Sequence, residues 1–285
     1  MNITLDCLPC FVRHTIEVMR SFTVESALAD EMVRDVIRQM AEVDFALTPP
    51  EFAAEVHAMI RSRLGIADPY LQIKRDANRF AARLLPELEK RLEKSTDRQR
   101  QALLYSIAGN IIDSGVSAVT PDSEVMESIE MAENERPAID HSEMLLRELR
   151  RAEKIVILGD NAGEIYFDRL FLQELKKDNI TYVVKGSPIL NDALHEDAIE
   201  AGIDRFARIL DTGVAIPGTV LRKCPPAVRQ AIQTADVIVS KGQANFETMG
   251  ECADPRVFFT LRAKCHVIAR EIGVPQGSFV IKSGG

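Results

Sequence analysis

The sequence has few cysteines and no long apolar run, and both absences narrow the class of protein. The chain contains 5 cysteines in 285 residues. Its longest apolar runs, such as residues 155–158 with their flanks, fall far short of the roughly 20 residues that a membrane span requires. The first residues lack both a basic start and a long apolar stretch, so no signal peptide and no membrane partner are expected. The expected location is the cytoplasm, where disulfide frameworks are rare.

Positive charge is scarce as well. The formal net charge is −8 at pH 7, and the isoelectric point is near 5.3. A dedicated nucleic-acid binder carries a basic face, so no nucleic-acid partner is expected. An anionic substrate stays compatible with this charge, because a bound divalent cation can dominate the field around it.

Cys7 and Cys10 form the one close cysteine pair. A structural zinc site would need a second pair at similar spacing, and Cys224, Cys252 and Cys265 do not supply one. A thioredoxin-like redox motif should follow a strand, whereas this pair opens the sequence. A structural or packing role is therefore favoured, with redox or metal chemistry as the alternative.

Hydrophobic periodicity changes near residue 150. Before residue 150, apolar residues recur at helical spacing and no strand is expected. This pattern predicts a helical bundle domain at residues 1–150. Beyond it, short apolar runs alternate with helical segments, which predicts an α/β domain at residues 151–285 with a doubly wound, mainly parallel sheet. The predicted helices span residues 11–19, 26–40, 50–64, 70–92, 98–119, 165–175, 192–201 and 227–234. The predicted strands span residues 154–158, 180–184, 207–210, 236–240, 257–261 and 279–281, followed by a loose tail at 282–285.

Polar residues follow the predicted strands, at the sheet edge where α/β proteins bind ligands. Asp160 and Asn161 follow the first strand, and Asp192 follows the second. Carboxylate and amide oxygens are the ligands that Mg²⁺ and Mn²⁺ prefer. The sequence therefore predicts a divalent-metal site at these residues, with coordination positions left for water and a phosphate oxygen.

Other residues at this edge are suited to a phosphate group. Gly163 lets backbone N–H groups at the start of a helix approach an anion. Lys241 and Lys264 can neutralise negative charge that grows in the transition state. The remaining predicted substrate-binding residues near these strand ends are Glu164, Gly213, Gly242 and Asn245.

Asn110 and Asp113 lie on one helical face in an apolar stretch of the first half, and such side chains need partners if buried. Either the pair caps a neighbouring helix, or it faces the sheet edge and closes the site from the other domain.

The common nucleotide-binding motifs are missing. A dinucleotide site would have Gly-x-Gly-x-x-Gly after the first strand, whereas this turn carries Asp160, which repels a pyrophosphate unless a cation intervenes. A Walker loop is absent as well. Nicotinamide and flavin binding are therefore disfavoured.

A set of short motifs runs in order along nearly the whole chain. They are Gly109-Asn110-x-x-Asp113, Gly159-Asp160-Asn161-Ala162-Gly163-Glu164, Pro188-x-x-Asn191-Asp192, Ser240-Lys241-Gly242-x-x-Asn245-Phe246 and Lys264-Cys265. Together they resemble the metal-dependent damage-control phosphatases, a family first catalogued as a domain of unknown function. The opening Cys7-x-x-Cys10 is similar to the branch found mainly in archaea and bacteria.

The resemblance implies a helical domain joined to a Rossmann-like α/β domain. It also implies a divalent metal held by Asp160, Asn161 and Asp192, and a phosphate-side lysine at Lys264. Other branches carry Arg-Thr-x-Lys where this chain has Leu-Arg-Ala-Lys at residues 261–264. Related branches act on small phosphorylated metabolites such as sugar phosphates and phosphopantetheine derivatives, so a small phosphorylated metabolite is the expected partner.

The predicted activity is hydrolysis of phosphomonoesters with Mn²⁺, Mg²⁺, Co²⁺ or Ni²⁺ as the cofactor. A metal-bound or metal-oriented water attacks phosphorus while Lys241 and Lys264 stabilise the phosphate oxygens. Asp160 is either a ligand only or also a transient nucleophile, and Glu164 and Asp113 are candidate proton handlers. The alternatives are a non-catalytic sensor of a phosphorylated metabolite and a metal-free methyltransferase that binds S-adenosylmethionine.

Overall fold

The first half of the chain is helical, as the periodicity predicts. The structure is a computed structural model that describes residues 1–22, 24–112, 122–251 and 253–285. The helices of this half are α1 (Leu8–Ser21), α2 (Ser26–Ala41), α3 (Pro49–Leu64), α4 (Leu71–Glu93), α5 (Arg98–Ala108), α6 (Asp122–Asn134) and α7 (Ser142–Arg151). The predicted helix at residues 98–119 is shorter in its α-helical part, because α5 passes into a 3-10 turn at Gly109–Ile112. Residues 113–119 of that prediction lie outside the described residues.

A capping box starts α3 at a defined residue. The backbone N–H and hydroxyl of Thr48 both donate to the carboxylate of Glu51, at 3.3 and 3.0 Å. Pro49 occupies the first helical position, where a missing N–H has no consequence. The helix ends at Gly65, whose φ of +65° is the left-handed conformation that glycine adopts without strain. These signals fix the direction of the helix that later forms one wall of the site.

The second half, together with one short strand before residue 150, forms a seven-stranded sheet within the described residues. Its strands are β1 (Ile139–Asp140), β2 (Ile155–Leu158), β3 (Ile180–Val184), β4 (Arg208–Asp211), β5 (Val237–Lys241), β6 (Val257–Arg262) and β7 (Phe279–Ser283). The helices between them are α8 (Glu164–Leu175), α9 (His195–Ala201), α10 (Pro226–Thr234), α11 (Gly242–Met249) and α12 (His266–Ile272). The strand order is β1-β7-β6-β5-β2-β3-β4, and β2 to β6 are mutually parallel. The predicted α/β class with a mainly parallel sheet is confirmed.

Two local predictions were wrong. A strand does occur before residue 150, because Ile139 and Asp140 pair with Val280 and Ile281 of β7; two residues are too few to produce a periodic signal. The first two residues of the predicted loose tail, 282 and 283, are strand, because they continue the antiparallel pairing of β7 with β6. Backbone hydrogen bonds to β6 hold this segment after its apolar run has ended.

The described residues form three hydrophobic cores. One face of the sheet, with Ile157 and Tyr182, packs on α4, α5 and α8, and the other face, with Leu158 and Ile238, packs on α10 and α12. A third, separate core joins α1, α2 and α3 around Val18, Val36, Phe52 and Ile60; we call these three helices the cap. Since α4 and α5 share a core with the sheet, the physical boundary between cores precedes residue 80, and the division at residue 150 stays a prediction.

In the described ranges, no helix is both long enough and apolar enough to cross a membrane.

Candidate active site

The candidate site lies where the chain connections of the sheet reverse direction. From β2 the chain continues to β3 on one side, whereas from β5, the other neighbour of β2, it continues to β6 on the opposite side. Such a reversal leaves a crevice at the carboxyl ends of the two strands. Residues 159–163 connect β2 to α8 at this point, and Gly242 connects β5 directly to α11.

Backbone pairing joins the turn after β2 to the loop after β3. The backbone N–H of Ala193 donates to the carbonyl of Asp160 at 2.8 Å, and that of Ala162 donates to the carbonyl of Asn191 at 2.9 Å. An isolated bridge pairs Asn161 with Asp192. The structure therefore brings together Asp160, Asn161 and Asp192, the three predicted metal ligands, although they come from two loops.

Two amides hold the carboxylate of Asp160. Asn110 and Asn161 each donate through Nδ2 to its Oδ2 at 2.8 Å. The same two nitrogens reach Oε2 of Glu164, at 2.6 and 3.2 Å. Because the Asn161 nitrogen points at these carboxylates, its carbonyl oxygen points away from them. Asn110 therefore reaches the sheet edge from the helical half, which is the second of the two interpretations left open for it; Asp113 lies outside the described residues.

Lys241 lies beneath the turn rather than on a cavity wall. Its Nζ donates to Oε1 of Glu164 at 2.5 Å and to the carbonyl of Ser106 at 3.0 Å, and it pairs with Asp168. Burial alone would lower the pKa of Lys241, but the charges of Asp168 and Glu164 outweigh burial and raise it. Lys241 was predicted to face the phosphate. In the structure its ammonium group instead faces two buried carboxylates.

Lys185 compensates the charge of Asp192, a role that the sequence analysis missed. Its Nζ lies 3.6 Å from Oδ2 of Asp192 and donates to the carbonyl of Gly159 at 3.2 Å. Both side chains are buried. The available signal was a lysine at the carboxyl end of β3, close in sequence to a candidate ligand.

A cavity of about 280 Å³ opens above these residues. One wall is the sheet edge, with Asp160, Asn161, Asp192 and, after β6, Lys264. The opposite wall is the cap, which contributes the N-terminal turns of α1 and α3. Three predicted metal ligands and one predicted phosphate-side lysine thus share one small cavity.

The other predicted site residues are not among the described residues that line this cavity. Most of them support its walls instead. Gly163 begins α8 with a φ of +75° and donates to Oδ1 of Asn78 at 2.7 Å. Asn245 donates to the carbonyls of Lys241 and Gly159, at 2.7 and 3.2 Å. The remaining members of this set are Asn110, Glu164, Lys241, Gly213 and Gly242.

Glu247 is a cavity residue that the sequence analysis missed. It lies on α11, and its Oε1 accepts a hydrogen bond from Gln243 at 3.0 Å. Burial raises the pKa of Glu247 to about 7, and the charge of Asp160 adds to the rise. A carboxyl group of this kind can exchange a proton near neutral pH. Its signal was its position just after the Asn245-Phe246 pair, on a helix that begins at the site.

The donor set of this cavity fits a hard divalent cation. Asp160 and Asp192 are 5% and 3% exposed. Buried carboxylates need compensating positive charge; Lys185, 3.6 Å from Asp192, supplies part of it, and a metal would supply the rest. Oxygen donors of this type suit Mg²⁺ and Mn²⁺. Among the described residues, no group of three or more His, Cys, Asp or Glu side chains is arranged to hold a metal. The carbonyl oxygen of Asn161 is therefore needed as the third donor.

Ion pairs fasten the cap to the sheet side of the cavity. The carboxylate of Glu51 on α3 pairs with Arg222 and, at 3.4 Å, with Lys223 in the 3-10 turn Leu221–Lys223. On the same helix, Arg61 donates to the carbonyl of Pro188 at 3.1 Å. The α3 wall is thus held to the loops that follow β3 and β4.

We expect Glu51→Gln to lower the free energy of unfolding at neutral pH. We also expect this free energy to fall less in the variant than in the original chain when the pH is lowered. Burial would raise the pKa of Glu51, but hydrogen bonds from Thr48 and the Arg222 charge together lower it from its ordinary value of 4.5. The ionised carboxylate therefore stabilises the fold at pH values above 4.5, the ordinary pKa. This stabilisation is lost as the pH falls through the lower pKa that Glu51 has in the folded state. Urea denaturation at pH 7 and pH 3.5 measures both effects. The exposed Glu55→Gln on the same helix is the control, and equal acid sensitivity in the two variants would contradict the expectation.

Comparison with known proteins identifies the family of this chain. The family model of the damage-control phosphatase ARMT1-like domain matches residues 3–280. The chain is 33% identical to a damage-control phosphatase of Archaeoglobus fulgidus, over 99% of both proteins. It is 30% identical to one of Pyrococcus horikoshii, over 98% of this chain and 97% of that protein. The crystal structure of a DUF89 family protein from P. horikoshii is similar with a TM-score of 0.91 and 28% identity, over 100% of both chains. The chain therefore belongs to the ARMT1-like damage-control phosphatase family, formerly the DUF89 family.

Proposed function

We propose that this chain is a divalent-metal-dependent phosphatase that hydrolyses phosphomonoesters of small metabolites. One observation carries the proposal: Asp160, Asn161, Asp192 and Lys264 line a single cavity of about 280 Å³. The carboxylates and the amide suit a metal, and the lysine suits a phosphate. The phosphatase relatives support the reaction class.

Each residue has a defined part in this proposal. Asp160, Asn161 and Asp192 would hold Mn²⁺, Mg²⁺, Co²⁺ or Ni²⁺, which supplies Lewis acidity and an acidified water when bound. Lys264, which follows β6 on the same wall, binds the phosphate oxygens. Glu247, whose pKa burial raises to about 7, is the candidate group for proton exchange.

The residues behind the cavity hold these groups in place. Asn110 fixes the Asp160 carboxylate through its hydrogen bond, and Lys241 fixes Glu164, which binds the same two amides. Lys185 lies beside Asp192 and reduces the repulsion between the two ligand carboxylates. Pre-positioned groups of this type lower the barrier, because they need little reorganisation during the reaction.

The size of the cavity selects small substrates. A volume of about 280 Å³ lies at the lower end of ligand pockets, which hold roughly 300–1,000 Å³. Residues of the cap and of the sheet edge line the same small cavity, so the bulk of a phosphorylated protein or of a nucleic acid would have to displace the cap. Free phosphorylated metabolites are therefore the proposed substrate class.

We expect Asp160→Ala to abolish phosphate release and to weaken metal binding at least tenfold. The reason is the loss of one of three donors from the proposed set. The assay measures phosphate release from a panel of small phosphomonoesters with each of the four metals, with and without a chelator. Equilibrium dialysis with Mn²⁺ alone gives a second readout that does not depend on activity.

Asp178→Ala is the matched control, because Asp178 is an exposed aspartate at the start of β3, at the opposite end of the strands. The assignment is wrong if Asp160→Ala retains both turnover and metal affinity. If the protein binds phosphorylated metabolites tightly but does not hydrolyse them in the presence of any of the four metals, the result would support a sensor instead.

A further inference from the structure

Cys7 and Cys10, which the proposed function leaves without a part, line the candidate active-site cavity together with Cys265. None of the described cysteines is in a disulfide. Cys10 is exposed and Cys7 is half-buried, so solutes in the cavity can reach the pair. Cys224, by contrast, is buried in the core, where its thiol donates to the carbonyl of Val220. The chain therefore has accessible thiols beside its proposed catalytic groups and a buried thiol remote from them.

The backbone places Cys7 and Cys10 one helical turn apart. Cys7 is the N-cap of α1, with helical φ and ψ of −77° and −29°, and Cys10 lies in the first turn. Residues three apart in a helix have Cα atoms about 5 Å apart. A disulfide spans Cα separations of about 4.4–6.8 Å. The Cα separation is therefore within the range of a disulfide. A small adjustment of the first turn would bring the Cβ atoms, about 5–6 Å apart in a regular helix, to the roughly 4 Å that the bond needs.

Each sulfur now has a different polar neighbour. Thr4 Oγ1 lies 3.4 Å from the Cys7 sulfur, and Nη2 of Arg13 donates to the Cys10 sulfur at 3.7 Å. Arg13 also lines the cavity. A disulfide requires an S–S distance of about 2 Å, so both sulfurs would turn toward each other and leave these neighbours. The exposed Arg13 would lose its contact with Cys10 at the cavity wall, which leaves Glu17 on the same helix as its other charged neighbour.

Cys265 is a poorer partner for this chemistry. Its sulfur accepts a hydrogen bond from Gln243 at 3.5 Å, and burial raises the pKa of its thiol. Thiolates, not thiols, react with peroxides and disulfides. The geometry of one helical turn therefore favours the bond between Cys7 and Cys10.

We propose that Cys7 and Cys10 are a dithiol site that hydroperoxides oxidise reversibly to a disulfide, and that oxidation weakens the binding of anionic substrates in the cavity. The first step breaks the peroxide O–O bond: the Cys10 thiolate takes the terminal oxygen to give a sulfenic acid, and the other oxygen leaves as alcohol or water. The Cys7 sulfur then bonds to the Cys10 sulfur. The Cys10 hydroxyl leaves with the Cys7 proton as water. Two thiols are oxidised by two electrons, and one hydroperoxide is reduced.

The effect on substrate rests on the proposed function. Lys264 binds phosphate from the sheet side, and Arg13 is a cation on the cap wall. When Arg13 loses its contact with Cys10, an anion in the cavity loses one favourable charge. The loss of one exposed ion pair lowers affinity by about two- to fivefold. We therefore expect a rise in KM of that size, with kcat changed by less than about twofold.

The test treats the purified full chain with hydrogen peroxide and follows it by mass spectrometry. The expected product has lost two hydrogens in the peptide that carries Cys7 and Cys10, and dithiothreitol restores the original mass. In Cys7→Ser, the sulfenic acid persists on Cys10 and is trapped by dimedone. In Cys224→Ser, the matched control, the disulfide forms as in the original chain.

The outcomes separate this inference from the proposed function. A disulfide between Cys10 and Cys265, or thiols at positions 7 and 10 that are alkylated equally before and after peroxide, would overturn the dithiol site. A Cys7–Cys10 disulfide that leaves KM unchanged would overturn the effect on substrate. If the reduced chain releases no phosphate with any metal, the proposed function fails, whereas the mass measurement still decides on the dithiol site.

Discussion

Gly242→Ala is expected to lower phosphatase activity at least about 100-fold and to weaken metal binding. Gly242 begins α11 with a φ of +76°, and a Cβ at this position would overlap the carboxylate of Asp160. Asp160 would have to leave its two amide donors, and displacement of a catalytic group by about 1 Å costs on the order of 100-fold in rate. Phosphate release and equilibrium dialysis with Mn²⁺ measure the two effects.

Gly273→Ala separates this overlap from backbone strain. Gly273 ends α12 with a φ of +82°, and a Cβ there would meet no atom within 4 Å. Both alanine variants have the strain of a positive φ, roughly 1–3 kcal/mol, but only Gly242→Ala displaces Asp160. If both variants keep their activity, or both lose it equally, the close approach of Gly242 to Asp160 has no functional importance.

Lys241→Met is expected to destabilise the fold by about 3–5 kcal/mol. The methionine matches the lysine in length but leaves the buried carboxylates of Glu164 and Asp168 without their cation. Uncompensated buried charge is the most damaging class of single substitution. Urea denaturation at neutral pH gives the change in the free energy of unfolding.

Two further variants test the cause of that loss. The exposed Lys94→Met should change stability by less than about 0.5 kcal/mol. Adding Asp168→Leu to Lys241→Met should recover part of the loss, because one of the two unpaired carboxylates is then removed. If Lys241→Met alone is as stable as the original chain, the ion pairs of Lys241 contribute nothing to the free energy of unfolding.

The sequence carried strong signals for the larger elements of the fold. Long helices and buried parallel strands repeat their pattern over many residues, so α3, α4, β2 and β5 were predicted near their actual bounds. The strand Ile139–Asp140 could not be found, because its two residues form a strand only through pairing with β7. The end of β7 was missed for the same reason, since pairing with β6 extends it past its apolar residues.

For the candidate site, the residue types in the sequence predicted which residues lie together but not how their side chains are oriented. Asp160, Asn161 and Asp192 were correctly expected to lie together, because parallel strands place their carboxyl ends at one edge. The orientation of Lys241 depends on Asp168, which lies a full turn into α8 and carries no motif signal. The contribution of Glu247 and of the cap wall depends on packing between distant segments, which no local pattern encodes.

The separate core of the cap has a consequence for substrate choice. The proposed metal ligands belong to the sheet, whereas the wall that meets the rest of a substrate is built on α1 and α3, which pack around their own hydrophobic residues. Substitutions in the first turns of these two helices can reshape the cavity while the sheet, its buried ion pairs and the hydrolytic groups stay as they are. Under the proposed function, reaction and selectivity would then be encoded in different parts of the molecule, and one reaction centre would serve different metabolites through changes confined to the cap.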